Sequence, residues 1–314
     1  MHAQSTSATQ QAKKFTGLHH ITMITGDAQE NARFYGDLLG LRLVKKTVNF
    51  DQPQAYHLYF GDETGAPGSI LTWFEFPGAA KGRAGAGSIH TLQLAVADEA
   101  ALDFWEQRLA GSETTREPGV LRFADYDGLK LELLISDLQN APLTASHPDI
   151  PSEYAIQGLH GARAYAVFHG VEDAILTELL GFTYEGEGEY VLSGSDRQFR
   201  FAYDAPTYND QQGAGSVHHI AWASNDEDHL KWQQRIQNAG GFVTDVRDRD
   251  YFKSIYFRIP SGVLFEIATL SPGFAVDEDP DHLGEALRLP KQHEHLRAEL
   301  EATLRPVNNP RVLA

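Results

Sequence analysis

Two histidine pairs and one acid carry most of the chemistry this chain can offer. His19-His20 lies in the run LHHITMIT, and His218-His219 lies in the run VHHIAWA. Glu266 sits inside the apolar run VLFEIATL. Their β-branched and aromatic content reads as strand. Side chains alternate along a strand, so each pair is expected to send one imidazole to either face. A carboxylate in an apolar strand is costly unless it is paired or holds a metal. Two imidazoles and a carboxylate on neighbouring strands match the facial triad of non-haem Fe(II) oxygenases, which leaves positions open for substrate and O2. The same donors accept Mn²⁺. Oxygen-only ligation of the Ca²⁺ kind is not indicated.

An internal repeat selects among the histidines. Gly17-Leu18-His19 recurs as Gly158-Leu159-His160, and Leu38-Leu39-Gly40 recurs at the same offset as Leu179-Leu180-Gly181. Gly87-Ser88-Ile89-His90 recurs as Gly215-Ser216-Val217-His218, with Asp98-Glu99 matching Asp226-Glu227. Repeats of this kind mark stacked supersecondary units. Four modules result, over about 16–78, 87–137, 156–205 and 214–271. The residue after the shared His is His20, Thr91, Gly161 and His219 in turn. The last strand holds Glu132 in the second module and Glu266 in the fourth. The third has no acid over 198–203, and Glu75 lies near that place in the first. Only the outer modules keep the second imidazole, so His20, His219 and Glu266 are the candidate ligands.

Each module reads as β-α-β-β-β. In the first, Asp27 can cap a helix with Glu30 three residues on, Phe34, Leu38 and Leu39 form its apolar stripe, and Gly40 suits its C-terminal turn. In the fourth, a helix over 227–239 is followed by strands over 254–258 and 263–269 around Pro260-Ser261-Gly262. The predicted class is α+β: four βαβββ modules paired into two domains, 16–140 and 153–272. A Pro-bearing linker over 141–152 separates them. Residues 273–314 form a C-terminal extension expected to pack on the second domain.

Other motifs carry less. Glu132 has no imidazole beside it, so a structural role is expected. His90 and His160 read as remnants of the repeat that bond locally. His293 and His295, two residues apart in QHEHLRAELE, fall on different faces of a solvated helix and do not form the H-E-x-x-H zinc pattern. Gly82, Gly85 and Gly87 lack the Lys-Ser/Thr of a phosphate loop, and no G-x-S-x-G elbow occurs.

Composition narrows the class further. The 314 residues include 42% hydrophobic and 22% charged side chains and a net charge of −17, a globular composition that repels phosphate backbones and anionic lipid. Neither nucleic acid nor membrane is an expected partner. No cysteine is present, which removes thiolate ligands and Cys nucleophiles. The polar N-terminal stretch MHAQSTSATQQAKKF has no apolar core of a secretory signal, and no apolar run approaches the ~20 residues needed to span a bilayer. A cytoplasmic location is the expectation. Oligomeric state is not visible, and a homo-oligomer is compatible with the sequence.

From Gly17 to Pro272 the chain resembles the vicinal oxygen chelate superfamily of paired βαβββ modules. GLHHITMITGDAQENARFYGDLLGLRLVKKTVNFD, GSVHHIAWAS, RDRDYFKSIYFRIPSGVLFEIATLSPGFAVDE and LGEALRLP resemble its hydroquinone ring-cleaving branch. The resemblance implies an Fe(II) site from His20, His219 and Glu266, with Thr22, His218, Arg249 and Tyr256 around it. It implies a small aromatic substrate and O2, with ring opening beside the metal-bound oxygen to a maleylacetate-type keto acid. Arg249 would stabilise developing anionic oxygen. His218 or Tyr256 would exchange protons with bound groups. Phe252 and Trp222 are candidates for an apolar pocket or for the core. Two other readings compete. A glyoxalase-type isomerase or thiol transferase commonly needs a fourth protein ligand, for which Glu75 is the available donor. A non-catalytic module that sequesters an aromatic drug or quinone would need no metal.

Overall fold

The computed structural model describes residues 14–313. The stretch over 1–13, within which the absence of a secretory signal was read, lies outside the described residues. Sixteen strands follow the four-module plan. The first module contributes β1 (Gly17–Thr25), β2 (Arg42–Val48), β3 (Tyr56–Gly61) and β4 (Ile70–Glu75). The second contributes β5 (Ile89–Val96), β6 (Thr115–Glu117), β7 (Val120–Ala124) and β8 (Lys130–Ile135). The third contributes β9 (Leu159–Tyr165), β10 (Phe182–Gly186), β11 (Glu189–Ser193) and β12 (Gln198–Asp204). The fourth contributes β13 (Val217–Ser224), β14 (Arg247–Asp248), β15 (Lys253–Arg258) and β16 (Leu264–Thr269).

In every module the first and last strands pair in parallel, and the others join antiparallel. A parallel partner requires a crossover, which the helical segment after the first strand begins. In the first module Asp27 caps α1 (Ala28–Asn31) by accepting from the Gln29 and Glu30 amides. The helix then widens into a π-helical stretch over Ala32–Leu38, so the predicted α-helix is only partly regular. Gly40 closes it at φ +71°, a conformation that glycine adopts without strain. The second module carries α2 (Glu99–Arg108) and the fourth α3 (His229–Asn238).

The two eight-stranded sheets do not follow the halves of the chain. One runs β14-β15-β16-β13-β1-β4-β3-β2, and the other β10-β11-β12-β9-β5-β8-β7-β6. The first module therefore shares a sheet with the fourth, and the second with the third. The domain limits read from the sequence follow the chain, and each of those segments contributes one module to each sheet. At the seam of the first sheet β1 and β13 run antiparallel, which brings His20 opposite Ala221 and Thr22 opposite His219.

The extension also differs from expectation. It returns to the first module, where Leu287 bridges Lys46 beside β2 and Leu289 and Leu300 pack on Val48. Its short helix is α4 (Arg297–Thr303). The fully buried Lys45 of β2 is paired with Asp277 and Glu278 of the extension, which meets the cost of burying its charge. Among the described residues, no helix is long and apolar enough to cross a membrane.

Candidate metal centre

Bulges at the seam aim the histidines. Pairing between β1 and β13 skips from Leu18–Trp222 to His20–Ala221, and from Thr22–His219 to Met23–Val217. His19 and His218 are thus the extra residues of two β-bulges, which break strict alternation and re-aim side chains. The expected one-face-each arrangement of the pairs is therefore not what forms. Instead the Nδ1 atoms of His19 and His20 meet at 2.9 Å, and those of His218 and His219 at 2.7 Å.

These contacts set the tautomers. His19 also hydrogen-bonds the Thr269 backbone, so its other nitrogen accepts a hydrogen bond from His20 Nδ1. His20 Nε2 is left as a lone pair facing inward. His218 meets the far nitrogen of His219 in the same position. Metal-binding imidazoles are commonly oriented by such a bond to the far nitrogen.

Three lone-pair atoms converge. His20 Nε2 and His219 Nε2 are 3.3 Å apart, and Glu266 Oε2 lies 3.5 Å from the first and 2.8 Å from the second. The residues are 2%, 4% and 0% exposed. Glu266 Oε1 accepts from Ser254 Oγ at 2.5 Å, whereas Oε2 has no hydrogen-bond partner. Burial alone would raise the Glu266 carboxyl, but the His20 and His219 imidazoles facing it hold it well below the usual carboxylate range. Burial lowers the His219 imidazole, which keeps it neutral. A buried carboxylate oxygen and two imidazole nitrogens turned on one point are suited to a divalent cation and costly without one. Among the described residues this is the one group of such side chains placed to hold a metal.

The centre forms the floor of a cavity with aromatic walls. Phe252 lies 5.2 Å from the His20 ring, Phe74 6.5 Å from His219, and Tyr256 edge-on to His219 at 5.7 Å. Arg249 sits over Phe50 and Tyr256 at 5.3 and 5.6 Å. Its Nε donates to Tyr256 Oη and its Nη2 to Asp51, both at 3.4 Å. Burial, reinforced by Glu266, raises the Tyr256 phenol far enough to keep it protonated.

The sequence-selected residues divide into several groups. Arg249, Tyr256 and Phe252 line the cavity with the three ligand candidates. Thr22 does not reach it, but its Oγ1 bonds Thr72 Oγ1 at 3.0 Å, which in turn bonds His57 in the cavity wall. His218 stands behind His219, away from this cavity, because its bulge turns it toward its neighbour's far nitrogen. Trp222 is core, in edge-to-face contact with Phe182, Phe199 and Phe265. Glu75 pairs with Thr25 at the far end of β1 and accepts from the Ala28 amide at the start of α1, so it offers no fourth ligand. His293 is not on a solvated helix face, since its ring bonds Phe50 O at 2.7 Å.

His57, Tyr59, Asn49 and Ser254 were not singled out from the sequence. His57 and Tyr59 are two apart in strand YHLYFG, a pattern that places both on one face. Nothing local in the sequence ties that face to β1.

The chain has known relatives. The model of the Glyoxalase/Bleomycin resistance protein/Dioxygenase superfamily matches residues 17–134 and 174–267, and the chain belongs to that superfamily. A Bacillus subtilis protein named as a ring-cleaving dioxygenase, MhqO, is 42% identical over 306 residues, spanning 94% of this chain and 97% of its own. The chlorohydroquinone/hydroquinone 1,2-dioxygenase of Sphingobium indicum is 32% identical over 327 residues, spanning 96% and 98%. A crystal structure of a Bacillus subtilis protein described as a dioxygenase superposes with a TM-score of 0.87 at 40% identity, covering 95% of this chain and 99% of that one.

Proposed function

We propose that this chain is an Fe(II)-dependent dioxygenase that opens the ring of a para-hydroquinone with O2, with His20, His219 and Glu266 as the metal ligands. The observation that carries the reading is Glu266 Oε2, buried, unpartnered and facing two imidazole nitrogens at the floor of an aromatic cavity. The names of relatives that match this chain nearly end to end support the same chemistry. With no fourth ligand at Glu75, the centre keeps more open positions than an isomerase-type site would.

Bound Fe(II) would lower the phenol pKa of the substrate and bring ring and O2 together. The protein does the rest by placement. Phe252 and Phe74 hold the ring in a slot and keep water from the floor. Arg249, charged and partly withdrawn from water, stabilises negative charge that develops on oxygen. Tyr256, kept protonated by burial, offers a proton at Oη beside His219. His19 and His218, each bonded to the far nitrogen of a ligand imidazole, hold His20 and His219 in orientation.

Oxygen uptake tests the reading. Protein loaded anaerobically with Fe(II), or with Mn²⁺ for comparison, is offered hydroquinone, methylhydroquinone, chlorohydroquinone and catechol, and ring-opened product is followed by ultraviolet absorbance. Iron-dependent uptake with hydroquinones preferred is the expected result. No uptake from protein shown to hold Fe(II) would sink it.

A further inference from the structure

The cavity wall holds a neutral amide donor that pairs with no described residue. Outside the three ligand candidates, the polar side chains facing the cavity are those of Asn49, Asp51, His57, Tyr59, Arg249 and Tyr256. His57 is bonded through both nitrogens, to Thr72 Oγ1 at 2.8 Å and to Tyr59 Oη at 3.0 Å. Tyr256 and Asp51 both take Arg249. Asn49 differs. Its Oδ1 accepts from the Asp51 amide at 2.9 Å, an Asx turn, and its own amide donates to Ala55 O at 2.8 Å. The residue is 9% exposed, yet its Nδ2 makes no hydrogen bond to any described residue.

The turn fixes the plane of the amide. The loop is also held from outside, where Gln292 Nε2 and His293 Nε2 both meet Phe50 O at 2.7 Å. The free donor is therefore pre-positioned. The direction of the slot matters as well. The ligand candidates at its floor are almost fully buried, whereas the Asp51 side chain beside Asn49 is 78% exposed at the mouth. A flat ring standing on the floor between Phe252 and Phe74 turns its far edge toward residues 49–51.

We propose that Asn49 Nδ2 donates to the second ring oxygen of the substrate, the one para to the oxygen held at the metal. Asn49 thereby selects para-diols over rings with a single hydroxyl. This assignment rests on the hydroquinone reading of the site. Its physical basis is an unpaired, nearly buried donor: a ring lacking the far oxygen leaves that donor desolvated and unsatisfied, so the site rejects it.

Anaerobic equilibrium dialysis of the Fe(II)-loaded protein against hydroquinone and against phenol tests the contact. Asn49→Asp keeps the acceptor of the turn and removes the donor, and Asn49→Ser keeps a smaller acceptor without adding charge. Both variants are expected to bind hydroquinone about 10-fold more weakly, while phenol, no longer covering an unpaired donor, binds as well as or better than to the wild type. Equal weakening toward both ligands, or unchanged hydroquinone binding, overturns the role of Asn49 while leaving the hydroquinone reading intact. Loaded wild-type protein that binds no hydroquinone overturns that reading, and this contact with it.

Discussion

The seam of the first sheet and the seam of the second are built alike and end differently. Both pair two first strands antiparallel, and both carry bulges at the histidine of the repeat, His19 and His218 in one, His90 and His160 in the other. Both have an acid on a strand parallel to the seam. In the second seam, however, Glu132 is satisfied at both oxygens, by Arg122 Nε and Gln93 Nε2, each at 2.8 Å. Gly161 stands where the first seam has His20, and a Cβ there would lie 2.3 Å from Gln93 Oε1 and 2.9 Å from Arg200 O. Gln93 fills the space that a ligand side chain would occupy. His90 turns to Thr91 and Asp204, and His160 to Ser136. A buried carboxylate thus becomes a candidate metal ligand or a structural acid according to whether its neighbours leave one oxygen unpaired.

The comparison is broken most severely at the ligands. His219→Ala is expected to abolish bound metal and to lower oxygen uptake by more than ~100-fold, the upper range for losing merely an outer partner. Thr91→Ala, at the matching position, should leave metal content untouched by atomic absorption. Next come the bulge histidines. His19→Ala and His218→Ala should each weaken metal binding by roughly 10–100-fold in competition with a chelator. His90→Ala should change it little, and an equal loss would show that the bulges act on the whole sheet rather than through the ligand.

Acid bears on both seams, since burial lowers the bulge imidazoles His19 and His218 of the first as well as His160 of the second. Burial lowers the His160 imidazole to about 4 from 6.5, so the unfolded chain binds more protons between those values. Stability from this residue is full above pH 6.5 and is lost as pH falls through 4, by about 3 kcal/mol. Urea titrations of metal-free protein across that window should show a loss shared with the other buried histidines, His19 and His218 among them, and His160→Gln should make it smaller. Gly161→Ala is expected to cost about 1–2 kcal/mol, because Arg200 O as well as Gln93 must shift. The smallest effect is Glu132→Gln, about 1 kcal/mol or less, since Arg122 is partly exposed and can turn to water.

The repeat was legible because a duplicated module keeps its turn glycines and its first-strand histidine, and comparison by position then isolates His20, His219 and Glu266. The capping role of Asp27 and the core stripe of the first helix were legible for local reasons. What could not be read is non-local. His57 and Asn49 reach the cavity through pairing of β3 with β4 and of β4 with β1. Ser254 meets Glu266 across an antiparallel pair. The return of the extension to β2 depends on which modules share a sheet.

The sequence by itself determined the α+β class, the four modules and the three donor residues, because strand periodicity, turn glycines and donor chemistry are properties of short segments. Only the tertiary structure decided that the first module pairs with the fourth. It also decided that two bulges turn each histidine pair onto itself, that Glu75 caps a helix and that Asn49 keeps a free donor. Those outcomes follow from register between strands far apart in the chain, and a shift of one residue in register changes which side chains meet.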